Sequence, residues 1–171
     1  MKSFLRVLAA LLGALALLVV VLLIGARFAD GPVAIIAGGP FTTGELVTGP
    51  EPDWSFASDL REVEFQLLDP PRSRTTWILE YDGRIYIPCG YMTSTVGRLW
   101  KQWPIEALED GRAVLRIGDK LYDRQLVRIE EGPLLEPLTE ELSRKYVGGA
   151  PIGSEAVTSG NLWLFELAPR T

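Results

Sequence analysis

The chain has 171 residues, enough for one domain of ordinary size and an appendage. Its 17 lysines and arginines against 22 acidic residues give a net charge of −5, and no long basic block is present, which argues against a nucleic-acid partner. The absence of histidine excludes imidazole general bases, histidine-dependent nucleophiles and histidine ligation of zinc or haem. A single cysteine excludes an internal disulfide and a cysteine-rich metal site.

Residues 7 to 26 form an apolar segment, VLAALLGALALLVVVLLIGA, that contains no charge. A helix of about twenty such residues crosses roughly 30 Å of hydrocarbon, so we predict one membrane span. The alternative is a cleavable signal peptide, because Lys2 and Arg6 precede the segment, although the apolar core of such a peptide is ordinarily about 7 to 15 residues. Positive charges flanking a membrane span tend to stay in the cytoplasm, so Lys2 and Arg6 favour a cytoplasmic N-terminus, while Arg27 after the span acts in the opposite direction. We therefore expect a single-pass protein of the inner or cell membrane whose domain faces outside the cytoplasm.

The next stretch, residues 30 to 58, is rich in glycine and proline and has one short apolar run, at residues 33 to 37. This composition disfavours a helix and predicts a tether with a first edge strand. The glycines of GGPFTTGEL have phosphate-loop spacing, but Glu45 and Leu46 stand where that loop needs lysine and a hydroxyl, so we interpret it as a structural turn. The predicted boundaries are 1–29 for the cytoplasmic tip and transmembrane helix, 30–58 for the tether and edge strand, and 59–171 for the domain.

The domain alternates apolar and polar residues at the period of β-strands. Asp82-Gly83 tolerates positive φ and predicts a tight type I′ hairpin turn, and Gly118-Asp119 predicts a second hairpin. The second return strand, KLYDRQLVRIE, has a mixed alternation that favours a bulge. The apolar residues that define the strands are Val63, Phe65 and Leu67; Trp77, Leu79 and Tyr81 on one face; Ile85 and Ile87; Ala113, Leu115 and Ile117; and Trp163, Phe165 and Leu167.

Two helical stretches interrupt these strands. VGRLWKQW and PIEALE are separated by Pro104, which disfavours helical geometry before it and predicts a bent or two-part helix. TEELSRKYVGG begins with Thr139 as the predicted N-cap and ends at Gly148-Gly149. The sequence therefore predicts a mainly β fold with short helices, of the α+β class.

Two groups of residues are candidates for binding an anion. RSRTT, residues 72 to 76, brings together two guanidinium groups and three hydroxyls, which can bind phosphate or carboxylate; the alternative is a solvated turn. Trp100, Lys101 and Trp103 place a cation between aromatic rings, which suits a planar anionic ligand; the alternative is core packing. Cys89 lacks a histidine or second cysteine to activate it, so we interpret it as a small buried thiol.

The order of strands resembles the split β-barrel that binds flavin, the fold of pyridoxamine phosphate oxidase-like proteins and deazaflavin-dependent nitroreductase-like reductases. SRTTWILEYDGRIYIPCG is similar to that family's hairpin, and KQWPIEALEDGRAVLRIGDKLYDRQLVRI is similar to its helix, strand, turn and long strand. The resemblance implies a small split β-barrel, here preceded by one transmembrane helix. Two features depart from the family's pattern: DPPRSR replaces its usual small and basic residues, and a membrane anchor is unusual for a cofactor-binding reductase.

In that family the cofactor phosphate lies near these two stretches, and the implied cofactor is FMN or a deazaflavin. The resemblance nominates as contacts Arg72, Ser73, Arg74, Thr75 and Lys101, to which the aromatic pattern adds Trp103. No catalytic or metal-ligating residue is assigned.

Two functions follow from these features. The first is a non-catalytic envelope module that binds a small planar anionic ligand or a protein partner. The alternative is a flavin- or deazaflavin-dependent oxidoreductase, in which the cofactor would carry the electron chemistry. Fold alone does not decide between them, and a homodimer is compatible with either.

Overall fold

The computed structural model describes residues 2–95, 97 and 101–170. It begins with helix α1, Lys2–Ala26, whose 25 residues are exposed except for Ala26. At 1.5 Å per residue the helix is about 37 Å long. It is therefore long and apolar enough to cross a membrane, as predicted, and its position near the N-terminus also fits a signal sequence.

The described residues that follow form one curled sheet of eight strands. Its order is β3-β2-β6-β7-β8-β5-β4, with antiparallel neighbours, and β1 pairs in parallel with the start of β7. Only Ile78 separates β3 from β4, so one short connection joins the two edges of the sheet and the sheet closes into a half-barrel. The strands are β1 Glu45–Leu46, β2 Glu62–Leu68, β3 Pro71–Trp77, β4 Leu79–Tyr81, β5 Arg84–Cys89, β6 Arg112–Ile117, β7 Lys120–Ile129 and β8 Trp163–Pro169.

Four short helical elements complete the α+β fold in the part of the chain that is described. They are a 3₁₀ helix at Trp54–Ser58, α2 at Trp103–Glu109, α3 at Leu135–Tyr146 and α4 at Glu155–Thr158. Pro104 lies in the first turn of α2, as predicted. Half of the predicted helical stretch before it, including Trp100, lies outside the described residues.

The predicted N-cap of α3 is wrong. Thr139 lies inside the helix, where its hydroxyl donates to the Glu136 carbonyl at 3.0 Å. The helix begins four residues earlier because Leu135, Leu138 and Leu142 recur at helical spacing and are all buried.

The sheet is buried on both faces along β5 and β8. One apolar cluster fills the half-barrel and includes Phe65, Ile87 and Phe165; Trp103 of α2 packs with its ring centroid 4.9 Å from Phe65 and 5.3 Å from Phe165. A second cluster lies between the sheet and α3, with members Leu79, Tyr86, Leu138, Leu142 and Leu164. Tyr86 and Leu164 therefore fill positions that a half-exposed strand would give to polar residues.

The hairpin turn at Asp82-Gly83 is confirmed, because both residues have positive φ, 52° and 70°. The bulge predicted in β7 is wrong, since β7 keeps a continuous register with both β6 and β8. The mixed alternation arises because Arg124 occupies an inward position. Its side chain is 3% exposed, forms a 2.6 Å ion pair with Glu51, and lies 4.8 Å from the ring centroid of Trp54.

Residues 27 to 44, which we call the joint, connect α1 to the sheet. Residues 33 to 37, expected as an edge strand, instead form a tight turn in which Val33 and Ile36 exchange backbone hydrogen bonds of 3.1 and 2.9 Å. The amide of Gly38 donates to the carbonyl of Ser73 in β3 at 3.0 Å. The joint is therefore bonded to β3 at Gly38, and the first short strand of the sheet, β1, comes after it.

Candidate functional site

A cavity of about 1330 Å³ opens between the end of α1, the edge strand β3 and the loops after β5 and α3. Its size is sufficient for a cofactor-sized ligand, since such pockets typically measure about 300 to 1,000 Å³. The polar and aromatic side chains of its wall are Arg27, Phe28, Glu62, Arg72, Arg74, Thr75, Thr76, Trp77, Cys89, Tyr91, Lys101, Trp103 and Asn161. The aliphatic residues include Leu23, Ile24, Ile35, Ile36, Leu142, Val147, Ile152 and Leu162.

Five of the six residues nominated from the sequence line this cavity. Arg72, Arg74 and Thr75 reach it from β3, Trp103 reaches it from the start of α2, and Lys101 lies two residues before that helix. Two stretches about thirty residues apart in the sequence are thus brought together, because Trp103 of α2 packs into the cluster that fills the half-barrel. RSRTT is part of strand β3 and not a solvated turn; the chain reverses before it, between β2 and β3.

The sixth nominated residue, Ser73, does not line the cavity. Its side chain is fully buried, and its hydroxyl donates to the carbonyl of Gly39 at 2.6 Å. Ser73 therefore fastens the joint to β3.

The three cations on β3 and α2 differ in how they are paired. The Arg74 guanidinium lies 3.0 Å from the Glu106 carboxylate, and burial lowers its pKa while Glu106 acts in the opposite direction. The Lys101 ammonium donates to the Gly90 carbonyl at 3.0 Å and lies 5.4 Å from the ring centroid of Tyr91. Within the described residues, the guanidinium of Arg72 has no hydrogen-bond or ion-pair partner. Of these three cations, Arg72 is therefore the one most available to a ligand.

The wall of the cavity carries an excess of positive charge. Among the described residues it holds four cations, Arg27, Arg72, Arg74 and Lys101, and one carboxylate, Glu62. Glu106 neutralises Arg74 from outside the wall. The excess stands out against the net charge of −5 for the whole chain, and it favours an anion in the cavity.

Aromatic rings supply flat apolar surface beside these cations. Trp77 is 43% exposed and lies parallel to Tyr146, with centroids 4.3 Å apart and an angle of 5° between the rings. The hydroxyl of Tyr146 accepts from the Ile78 amide at 3.0 Å and so holds the stack in place. Trp103 is only 6% exposed, which confirms the core-packing interpretation, and it also lines the cavity wall, where its contact with a ligand stays a prediction.

Cys89 is the small buried thiol that was predicted. It is 3% exposed, burial raises its pKa to about 11, and its sulfur lies 3.6 Å from that of Met92. The thiol is therefore protonated at neutral pH and is not an activated nucleophile. Within the described residues no group of three or more histidine, cysteine, aspartate or glutamate residues could hold a metal. The cavity wall therefore combines cations with apolar surface.

Sequence reasoning missed the wall that α1 and the joint contribute. Arg27 was noted only as a charge after the apolar segment, and Ile35 only as part of an expected strand. No local signal places residues 33 to 37 beside β3, because the Gly38 contact with Ser73 joins segments 35 residues apart in the sequence.

No protein-family model matches the chain, and no curated protein matches it. Among solved structures, the chain is similar to the conserved hypothetical protein Rv2991 from Mycobacterium tuberculosis, with a TM-score of 0.51 and 16% sequence identity over 76% of this chain and 87% of that one. It is also similar to a Listeria innocua protein named "Putative Pyridoxamine 5'-phosphate oxidase", with a TM-score of 0.49 and 13% identity over 68% and 90% of the two chains. The first likeness, together with the strand order, confirms the split-barrel fold predicted from the sequence, and at this identity it extends to the fold alone.

Proposed function

We propose that this chain is a single-pass membrane protein whose split barrel binds a planar anionic ligand in the cavity and acts as a non-catalytic binding module. The observation that carries the proposal is the guanidinium of Arg72, which has no partner among the described residues and lines the same cavity as Lys101, with aromatic and aliphatic walls. An unpaired arginine in such a place favours phosphate or carboxylate, because its fork of donors matches their oxygens.

The residues of the cavity fit FMN or a deazaflavin as the ligand. Arg72, Lys101 and the hydroxyl of Thr75 would hold the phosphate, and Trp77 offers a flat surface to the rings. When bound, a flavin or deazaflavin supplies hydride transfer, which is the chemistry of the alternative, oxidoreductase function. We favour the binding module because the cavity itself contributes cations and apolar surface, and its thiol is inert at neutral pH.

We further propose that the barrel lies outside the cytoplasm. Lys2 and Arg6 precede the apolar segment, and Arg27 follows it. The positive charge near the N-terminus favours retention of that end in the cytoplasm, which directs the barrel to the other side.

The binding proposal is tested by titrating FMN into the full chain in phosphatidylcholine nanodiscs and following quenching of flavin fluorescence. We expect saturable binding that Arg72→Ala weakens by about 1.5 to 3 kcal/mol, the cost of one lost charged hydrogen bond, or roughly 10- to 150-fold in Kd. The matched control is Arg84→Ala. The Arg84 side chain is 61% exposed, is 3.6 Å from Glu166, and does not line the cavity.

The outcomes separate the candidates. Absence of saturable binding, or an equal loss in Arg72→Ala and Arg84→Ala, would remove the cavity as a site for this ligand. A visible flavin absorption band in the purified protein, together with turnover of an added electron acceptor, would favour the oxidoreductase.

A further inference from the structure

Two apolar side chains beside the end of α1 stand out by their exposure. Phe28 is 85% exposed and Ile35 is 83% exposed, more than any other large apolar residue that the structure describes, including those of α1. Both line the cavity, so they lie at its mouth on the side of the helix. Val33, in the same turn as Ile35, is 44% exposed. Large exposed apolar side chains on one side of a cavity mark an interaction surface, and we call Phe28, Val33 and Ile35 the apolar rim.

The turn that carries the rim has an unusual tip. Val33 and Ile36 close it by hydrogen bonds, so that Ala34 and Ile35 form its tip. Ala34 has a φ of 53°, a conformation that non-glycine residues seldom adopt. Turn tips in water ordinarily carry glycine, asparagine, aspartate or serine, which tolerate this geometry and bond to water. The apolar tip indicates an apolar environment.

The joint fixes the rim relative to α1. Backbone hydrogen bonds continue past the helix, from Phe28 to Gly25 at 3.0 Å and from Ala29 to Ala26 at 3.2 Å. Gly39 packs so closely against this turn that a Cβ there would lie 2.5 Å from the carbonyl oxygen of Arg27. The carbonyl of Gly39 in turn accepts a hydrogen bond from the Ser73 hydroxyl, which attaches the end of the helix to β3.

A second set of contacts ties the joint to β2 and β6. The Asp30 carboxylate accepts hydrogen bonds from the Thr42 amide, at 2.7 Å, and from the Thr43 hydroxyl. It also lies 3.1 Å from the Arg116 guanidinium. Arg116 also pairs with Glu64 at 2.6 Å. Because the joint is held at β3 and at β6, the barrel has a defined orientation relative to α1.

We propose that the apolar rim inserts into the same bilayer that α1 crosses, so that the barrel rests on the membrane with the mouth of its cavity at the lipid surface. The inference rests on the proposed membrane anchoring of α1. The occupant of the surface is the lipid bilayer, because the rim begins two residues after the helix ends and the joint keeps it there. Arg27, exposed between the helix and Phe28, is placed to meet lipid phosphates.

The test uses the full chain with one added cysteine, labelled with a nitroxide and reconstituted into vesicles of phosphatidylcholine and phosphatidylglycerol. Ile35→Cys and Phe28→Cys report on the rim. Val127→Cys, at a position 46% exposed on β7, is the matched control, and Leu15→Cys, 57% exposed within α1, reports on the anchor. Cys89 is buried and its thiol has a raised pKa, so unmodified protein gives the labelling background.

Electron paramagnetic resonance then compares nitroxide collisions with oxygen, which concentrates in lipid, and with a water-soluble nickel chelate. We expect oxygen to dominate at positions 35, 28 and 15 and nickel to dominate at position 127. If position 35 is as accessible to nickel as position 127 while position 15 lies in lipid, insertion of the rim is contradicted and the membrane anchor is not. Nickel accessibility at position 15 would instead overturn the anchor, and with it the rim. All four sites are exposed, so these substitutions leave the core unchanged.

Discussion

Replacing Arg74 by alanine should destabilise the barrel, because this residue joins α2 to β3. Its guanidinium lies 3.0 Å from the Glu106 carboxylate, and the two side chains are only 15% and 26% exposed. Arg74→Ala would leave the Glu106 carboxylate partly buried without its partner. Arg72→Ala, two residues away on the same strand, removes no such partner and should leave the stability unchanged.

The magnitude follows from the distance and the burial. At 3.0 Å and an effective dielectric constant of about 20, the gross attraction is roughly 5 to 6 kcal/mol, most of which is offset by the cost of removing both groups from water. Exposed pairs contribute about 0.2 to 1 kcal/mol, and breaking a fully buried pair costs about 3 to 5 kcal/mol. For this intermediate burial we expect a loss of about 2 kcal/mol, which lowers Tm by about 8 °C in a domain of roughly 110 residues.

Thermal melts of the full chain in nanodiscs, followed by near-ultraviolet circular dichroism, measure this loss. The matched control is Arg112→Ala. The Arg112 guanidinium pairs with Asp110 at only 2.6 Å, but Arg112 is 54% exposed, so its loss should leave Tm unchanged within error. A double-mutant cycle with Glu106→Gln isolates the coupling between the two side chains. Equal Tm shifts for Arg74→Ala and Arg112→Ala, or a coupling of zero, would refute the reasoning.

Two further predictions concern the joint and the topology. Hydrogen bonding from the Thr43 hydroxyl, then from the Thr42 amide, lowers the pKa of Asp30 from 3.8 to about 2. The ionised Asp30 carboxylate therefore contributes to stability above pH 3.8, and this contribution is lost as the pH falls towards about 2. Asp30→Asn should flatten the dependence of Tm on pH in that window, and an unchanged dependence would contradict this role. If the barrel lies outside the cytoplasm, protease added to intact spheroplasts should digest it, whereas digestion only after lysis would reverse the orientation.

The parts of the fold that were predictable from the sequence depend on local patterns. β2 and β6 alternate because one face of each packs into the half-barrel, and Asp82-Gly83 specifies its own turn. The single strand expected for Trp77, Leu79 and Tyr81 is divided at Ile78 into β3 and β4, but Trp77 and Leu79 both lie on the side of α3, as their shared face predicts. Leu79 packs under α3 and Trp77 stacks on Tyr146. The break between the strands has no signal in the local pattern, because Ile78 is itself apolar and buried.

The candidate site was predictable only in part, for a similar reason. Residue type and resemblance together nominated Arg72, Arg74, Thr75 and Lys101, and the fold brings them to one cavity. Residue type alone could not show that Ser73, whose hydroxyl bonds Gly39, does not line the cavity as its neighbours do. The wall formed by the joint depends on contacts over long sequence separations, such as Asp30 with Arg116, which no local pattern reveals.

The charge distribution gives the proposed seating of the barrel a physical consequence. A chain with a net charge of −5 is repelled by an anionic membrane surface if it approaches in a random orientation. The cavity wall, however, carries Arg27, Arg72 and Lys101, so the face beside α1 is positive where the remainder of the barrel is on balance negative. Anionic lipid therefore favours the same orientation that the joint imposes. It follows that an anionic ligand with an apolar part could pass from the lipid surface to Arg72 without crossing bulk water, whereas a flexible tether would leave the cavity mouth free to turn towards the solvent.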